Sequence, residues 1–210
     1  MKRTFLPRHG LYAITREGYP SAEALAAAAR SAIRGGAAAL QYRAKAAADP
    51  KAEAERLLGL CREAGVPLIV NDDVELAFSI GADGVHLGRD DSSPAEARQR
   101  LGASAIIGVS CYDCVDLAMR AEEQGADYAA FGRFYPSSTK PGAPLARLET
   151  LTRAKQRLRI PLVAIGGITP DNGGSLLKAG ADWLAVVDGV FGGDDPESLA
   201  RRFAPLFERG

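Results

Sequence analysis

Gly36-Ala37-Ala38-Ala39-Leu40-Gln41-Tyr42-Arg43-Ala44-Lys45 opens on a glycine, runs through four small or apolar residues and ends in an amide and two cations. The run reads as a β-strand whose successive side chains point to opposite faces, so Gln41, Arg43 and Lys45 share one side. Unpaired buried charges are expensive, which makes this strand end poor core material. It suits a phosphorylated ligand, because Arg offers a planar fork to phosphate oxygens and Lys a mobile point charge. A strand end whose charges pair with surface carboxylates is the competing reading.

The opening phrase recurs. Gly81-Ala82-Asp83-Gly84-Val85, Gly125-Ala126-Asp127-Tyr128-Ala129 and Gly180-Ala181-Asp182-Trp183-Leu184 follow Gly36 at intervals of 45, 44 and 55 residues. In each, glycine ends a helix in the left-handed conformation and a strand begins shortly afterwards. One further strand candidate lies inside each interval: Pro67-Leu-Ile-Val-Asn71, Ala105-Ile-Ile-Gly-Val109 and Pro161-Leu-Val-Ala-Ile165. Leu11-Tyr-Ala-Ile-Thr15 precedes the first header, giving eight strands. Amphipathic segments near 21–34, 51–64, 74–80, 94–101, 115–124, 147–158, 171–179 and 196–208 read as helices. Asp49-Pro50, Ser93-Pro94, Thr169-Pro170 and Asp195-Pro196 each place a capping residue before a first-turn proline. Runs such as Leu-Val-Ala-Ile show little alternation, as expected of parallel strands covered on both faces. Eight β-then-α units predict an α/β fold, a (β/α)8 TIM barrel occupying residues 1–210 as a single domain. A doubly wound open sheet competes; the unit count and the two-unit repeat favour the barrel.

Composition narrows the function classes. Lys plus Arg and Asp plus Glu are 26 each, so no global charge points to a nucleic acid or membrane partner, and any anion affinity must be local. No apolar run is long enough to cross a bilayer, and Met-Lys-Arg-Thr-Phe-Leu-Pro turns polar too early for a signal peptide. With three cysteines, Cys61, Cys111 and Cys114, no even disulfide framework forms, and the chain reads as cytoplasmic. Cys111-Tyr-Asp-Cys114 has redox or half-zinc spacing but lacks a second pair, so it is read as bland. His86 lies inside a strand and reads as a hydrogen-bonded interior histidine, with general acid/base duty the lesser alternative.

Barrel chemistry sits at the C-terminal strand ends, and there the polar inventory gathers. Strand two ends in Gln41, Arg43 and Lys45, strand three in Asn71-Asp72-Asp73, and strand four is followed by Gly88-Arg89-Asp90-Asp91. Strand five ends in Ser110, strand six leads into Pro136-Ser137-Ser138-Thr139-Lys140, strand seven into Gly166-Gly167, and strand eight ends near Val187-Asp188-Gly189. The stretch from Tyr135 to Arg147 reads as an extended functional loop. Asp72 and Asp91, with cations nearby, suit Mg²⁺, which keeps several waters and borrows further ligands from phosphate. Helix capping is the alternative, and Asp73 or Asp90 fits it best. Gly166-Gly167-Ile168-Thr169-Pro170 reads as a glycine-rich turn running into a helix start, at the usual phosphate pocket of such barrels.

Gln41-x-Arg43-x-Lys45, Asn71-Asp72-Asp73-Val74, Gly84-Val-His-Leu-Gly88 with Asp91, Gly108-Val-Ser110, Tyr135-Pro136-x-x-Thr139-Lys140 and Gly166-Gly-Ile-Thr169 together closely resemble the thiamine phosphate synthase family. The resemblance runs in order from Leu11-Tyr12 to about Gly189. It implies a transferase that joins 4-amino-2-methyl-5-hydroxymethylpyrimidine diphosphate to a thiazole phosphate, giving thiamine monophosphate and diphosphate. By the same resemblance Gln41, Arg43, Lys45, Asn71, Ser110 and Lys140 hold the pyrimidine diphosphate, with Arg43, Lys45, Ser110 and Lys140 carrying the catalysis. It further implies that Asp72 and Asp91 bind Mg²⁺ and that Ser137, Thr139, Gly167, Val187 and Asp188 contact the thiazole phosphate. Partners are then these small molecules, with homo-oligomerisation left open. The chain departs from the family pattern at Asp188, where Ser is usual, at Arg89, where Gln is usual, and at Ser137, where Thr is common. Two alternatives stand beside this expectation: a thiazole tautomerase-like isomerase, whose histidine after strand five is replaced here by Cys111-Tyr112, and a non-catalytic barrel that binds phosphates or thiamine precursors.

Overall fold

The computed structural model describes residues 6–136 and 144–208. Eight parallel strands close into a barrel: β1 (Gly10–Ile14), β2 (Ala37–Tyr42), β3 (Leu68–Asn71), β4 (Gly84–Leu87), β5 (Ile106–Tyr112), β6 (Tyr128–Gly132), β7 (Leu162–Ile165) and β8 (Trp183–Val186). They pair in chain order, and β8 returns to β1 through Trp183 beside Gly10 and Ala185 beside Tyr12. Helices α1 (Ala22–Arg34), α2 (Pro50–Ala64), α3 (Val74–Ile80), α4 (Pro94–Leu101), α5 (Val115–Glu123), α6 (Leu148–Arg157) and α7 (Gly173–Lys178) fill the crossovers, and α8 (Asp188–Phe191), α9 (Pro196–Arg201) and α10 (Ala204–Phe207) follow β8.

The repeated header has a structural cause at its glycine and, in its last three copies, at its aspartate. Gly36, Gly81, Gly125 and Gly180 all have positive φ, the conformation that reverses the chain from helix to strand. The aspartate that follows is a staple between strands. Asp83 accepts from the Leu68 amide at 2.9 Å, Asp127 from Ile107 at 2.8 Å and Asp182 from Leu162 at 2.9 Å. Each bond ties an even strand to its odd predecessor, and a charge-assisted bond of this kind contributes about 1.5–3 kcal/mol. The two-unit repeat is therefore a pairing device.

Helix α1 shows the outer packing: Leu25, Ala28, Ala29 and Ala32, spaced at i, i+3, i+4 and i+7, are its buried residues. The capping expectations hold for Asp49, Ser93 and Asp195, whose side chains accept from Ala52, Glu96 and Ser198 amides. Thr169-Pro170 differs: α7 begins only at Gly173, and Asn172 Oδ1 accepts from the Thr169 amide at 2.8 Å, so Gly166–Pro170 is a turn held by Asn172 and does not lead directly into the helix. The single helix expected over 196–208 is two, because Pro205 has no N–H for the carbonyl four residues back and its ring clashes there. Helix α8 was not expected. It has no side-chain cap and is held by the burial of Val190 and Phe191. Among the described residues no helix is long and apolar enough to cross a membrane.

Inside the barrel, Tyr12, Tyr128 and Trp183 are the bulkiest plugs, packed with Ile14, Ala39, Ile69, Ile106, Ala130, Val163 and Ala185. Gly108 exists for Tyr128, since a Cβ there would sit 1.9 Å from that ring. Filling the lower barrel in this way leaves the C-terminal mouth as the open end.

Candidate active site

Strand ends build the mouth, and each needs a local device to hold its polar groups. On β2, Gln41 is buried at 3% exposure, while the chain beyond Tyr42 is tied to the end of β1. The Arg43 amide donates to Thr15 Oγ1 at 2.9 Å and Thr15 Oγ1 donates to the Arg43 carbonyl at 3.2 Å. Glu17 accepts from the Lys45 amide at 3.0 Å and lies 3.5 Å from the Arg43 guanidinium. Thus two residues of the first βα connection hold both cations of the Gln-x-Arg-x-Lys set.

On β3, Asp72 sits at φ 64°, in the left-handed region that aspartate tolerates better than most side chains. Its amide donates to the His86 carbonyl at 2.8 Å, locking β3 to β4. Asp91 Oδ2 accepts from the Gly88 amide at 2.6 Å and approaches the Asp72 carboxyl. Burial, and then the hydrogen bond and charge of Asp91, push the Asp72 carboxyl above the usual carboxylate range, with Lys45 opposing. Asp73 accepts from the Leu76 amide and caps α3. Among the described residues no group of three or more His, Cys, Asp or Glu could hold a metal ion. Two crowded carboxylates nevertheless fit Mg²⁺, which takes one or two from the protein and the rest from water and phosphate; a divalent charge between them would also relieve their repulsion.

Below the mouth, polar side chains cross the barrel in an unbroken row. Gln41 Nε2 donates to Tyr12 Oη, Tyr12 Oη meets Tyr128 Oη, Tyr128 Oη meets His86 Nδ1, and His86 Nε2 meets Ser110 Oγ, each at 2.9 Å. His86, at 8% exposure, is the hydrogen-bonded interior histidine expected. Beyond Ser110, Tyr112 has φ 56° and carries the Arg89 guanidinium 4.6 Å over its ring. Arg89 therefore belongs to the β4–β5 side of the mouth. The thiols of Cys61 and Cys111 are pushed up to about 12 by burial, and both are free, as is Cys114.

Across from these groups lie the β7 and β8 ends. Gly166 and Gly167 have φ of 103° and 62°, and a Cβ on them would come within 2.2 Å of Arg133 and 2.3 Å of Pro136. The glycines are thus required by the chain that leaves β6, a reason independent of any anion.

One cavity of about 370 Å³ gathers Gln41, Arg43, Lys45, Asn71, Asp72, Ser110, Gly167, Val187 and Asp188 on its wall. Asp91 joins it through Asp72. Ser137, Thr139 and Lys140 lie outside the described residues. His86 also lines the cavity, as do Tyr12, Tyr112 and Arg133, which no strand-end signal marks. The available signal was a tyrosine inside each of two barrel strands, since a buried phenol requires a partner.

Fold and site define a (β/α)8 barrel whose polar groups gather around one cavity at its C-terminal mouth. A family model described as thiamine monophosphate synthase matches residues 11–190. A thiamine-phosphate synthase of Methylococcus capsulatus is 55% identical over 203 residues, covering 96% of this chain and 90% of that one. One from Thioalkalivibrio sulfidiphilus is 52% identical over 201 residues, covering 95% of each. Among solved structures, thiamine phosphate pyrophosphorylase from Pyrococcus furiosus superposes with a TM-score of 0.84 at 34% identity, covering 96% of both chains. The chain belongs to the thiamine monophosphate synthase family, a family of transferases.

Proposed function

We propose that residues 1–210 form one barrel domain that joins 4-amino-2-methyl-5-hydroxymethylpyrimidine diphosphate to thiazole phosphate, releasing diphosphate and forming thiamine monophosphate. The observation that carries this reading is that Gln41, Arg43, Lys45, Asn71 and Ser110 line one cavity together with Gly167, Val187 and Asp188. The first set is assigned to the pyrimidine diphosphate together with Lys140. The second, with Ser137 and Thr139, is assigned to the thiazole phosphate.

In the reaction the bond between the pyrimidine methylene and the diphosphate oxygen breaks, and its electron pair leaves with diphosphate. The methylene is conjugated to an electron-rich aminopyrimidine, so the step is assigned a dissociative course through a pyrimidine carbocation, which the lone pair of the thiazole nitrogen captures. No protein nucleophile is needed. Arg43 and Lys45, held through Glu17 and Thr15, would neutralise charge growing on the leaving group. Opposite charges about 4 Å apart are worth on the order of 4 kcal/mol at an effective dielectric of 20. Asp72 and Asp91 would hold Mg²⁺, which when bound supplies further positive charge to the diphosphate. The walls position the two partners and keep water from the cation.

Thiamine monophosphate formation, measured with and without Mg²⁺, tests the proposal. Arg43→Ala is expected to abolish synthesis while the circular dichroism spectrum stays unchanged. Retained activity, or a covalent enzyme–pyrimidine adduct during turnover, would count against it.

A further inference from the structure

The row of side chains beneath the cavity has a direction, and that direction is set at one end. An amide nitrogen can only donate, so Tyr12 Oη accepts from Gln41 Nε2 and has its own single proton to give. Tyr12 is 1% exposed, and among the described residues its other hydrogen-bond partner is Tyr128 Oη. Tyr128 therefore accepts from Tyr12 and passes its own proton to His86 Nδ1. That nitrogen must be bare, which places the imidazole proton on Nε2, from where it is donated to Ser110 Oγ. Running the row the other way would leave the Tyr12 proton buried with no acceptor, the costly case for a polar group. Burial supports this assignment by raising both phenols above their ordinary range, so each keeps its proton.

Both ends of the row line the cavity, as do Tyr12 and His86 between them, and Tyr128 lies behind that wall. Ser110 Oγ, already accepting from His86, has its own O–H to donate. Gln41, which gives one of its two N–H groups to Tyr12, has its Oε1 to accept.

We propose that Tyr12, Tyr128 and His86 are positioning residues that set this polarity, so that Ser110 on β5 presents a donor and Gln41 on β2 an acceptor to a ring bearing a bare ring nitrogen and an exocyclic amino group. The inference rests on the reading of this cavity as a pyrimidine diphosphate site and says how that site tells an aminopyrimidine from an oxopyrimidine. The oxo ring carries a ring N–H and a carbonyl, the reverse pattern, and would set donor against donor and acceptor against acceptor. Gly108 belongs to the same device, because its missing side chain admits the Tyr128 ring beside Ser110's strand.

Two measurements test the row. The chain has two histidines, so ¹⁵N-histidine labelling, with His9→Gln to identify the other signal set, reads the His86 tautomer directly in the intact protein. The Nε2-protonated form is expected; an Nδ1-protonated ring overturns the polarity. Calorimetric binding of the aminopyrimidine monophosphate and its 4-oxo counterpart then reads the consequence. The wild-type protein is expected to favour the amino ligand by roughly 10- to 100-fold, the range set by unpaired buried polar groups. Tyr128→Phe, which keeps the ring and removes the hydroxyl, is expected to shrink that ratio to within roughly threefold, since the row no longer imposes a direction. An unchanged ratio, with both ligands weakened equally, would make the row merely structural and overturn the inference. Tyr12→Phe breaks the row one step earlier and serves the same purpose if Tyr128→Phe does not fold. Failure of the functional reading is seen separately: a wild-type protein that makes no thiamine monophosphate yet shows the tautomer and the discrimination loses the reaction and keeps the row.

Discussion

Replacing Asp91 by Asn should stabilise the metal-free fold while removing its response to Mg²⁺. Asp91 Oδ2 receives the Gly88 amide and crowds the Asp72 carboxyl. Asparagine keeps an oxygen for Gly88 and turns a like charge beside Asp72 into an N–H donor. Two carboxylates about 4 Å apart repel by about 4 kcal/mol at an effective dielectric of 20. Asp91 is exposed and Asp72 only half-buried, so solvent reduces the relief to about 1 kcal/mol. For a chain of this length that raises Tm by about 2–4 °C in EDTA.

Mg²⁺ reverses the order. Present at about a hundred times its Kd, it would stabilise the wild-type fold by about 2.7 kcal/mol, or about 5–10 °C, and should leave Asp91→Asn nearly unmoved. Thermal melts in EDTA and in Mg²⁺ therefore cross: the variant is the more stable without the ion and the less stable with it. A variant that melts below wild type in EDTA, or that keeps the full Mg²⁺ shift, would show that the pair is not a cation site.

Gly108→Ala forces a methyl into the Tyr128 ring and should cost about 1–3 kcal/mol in urea unfolding. Glu17→Ala removes the acceptor beside the Lys45 amide and the Arg43 guanidinium; the KM for the pyrimidine diphosphate should rise roughly tenfold, the effect of losing about 1.4 kcal/mol of positioning, with the thiazole phosphate KM unchanged. Asp113 is partly desolvated, which acts against its charge, but hydrogen bonds from Thr150 and Arg147 win and hold its carboxyl below the usual value of 3.8. Its contribution is therefore fully present above about pH 4 and is lost as pH falls through the depressed folded value. Asp113→Asn should lower stability at pH 7 by at most about 1 kcal/mol after screening, and the difference from wild type should vanish in acid melts.

The barrel was legible because its governing signals are local. A glycine with positive φ and an aspartate two residues later recur at three strand starts, and each aspartate bonds the strand before it. The strand-end rule likewise picked out Gln41, Arg43, Lys45, Asn71, Asp72 and Ser110, which share one cavity. Helix α8 escaped because four residues with no cap and an internal glycine carry no helical period. Arg133 escaped because nothing near Gly132 marks where β6 stops and the mouth begins.

Tyr12 and Tyr128 could be seen as buried phenols in need of partners, but which partners they have is hidden for a deeper reason. They lie within strands, at positions that alternation assigns to the interior, and an interior tyrosine reads as packing unless its partner is known. The partners are set by barrel register: Gly108 beside Tyr128, Asn71 beside His86 and Ser110 beside Ala130. Register is a property of pairs of strands, and the row from Gln41 to Ser110 draws on β2, β1, β6, β4 and β5, so its members lie as far as 116 residues apart in sequence yet meet at 2.9 Å. A polar layer built this way has no local pattern. It follows only when the ring is closed, and closing the ring is what sets the donor and acceptor that the cavity shows to its ligand.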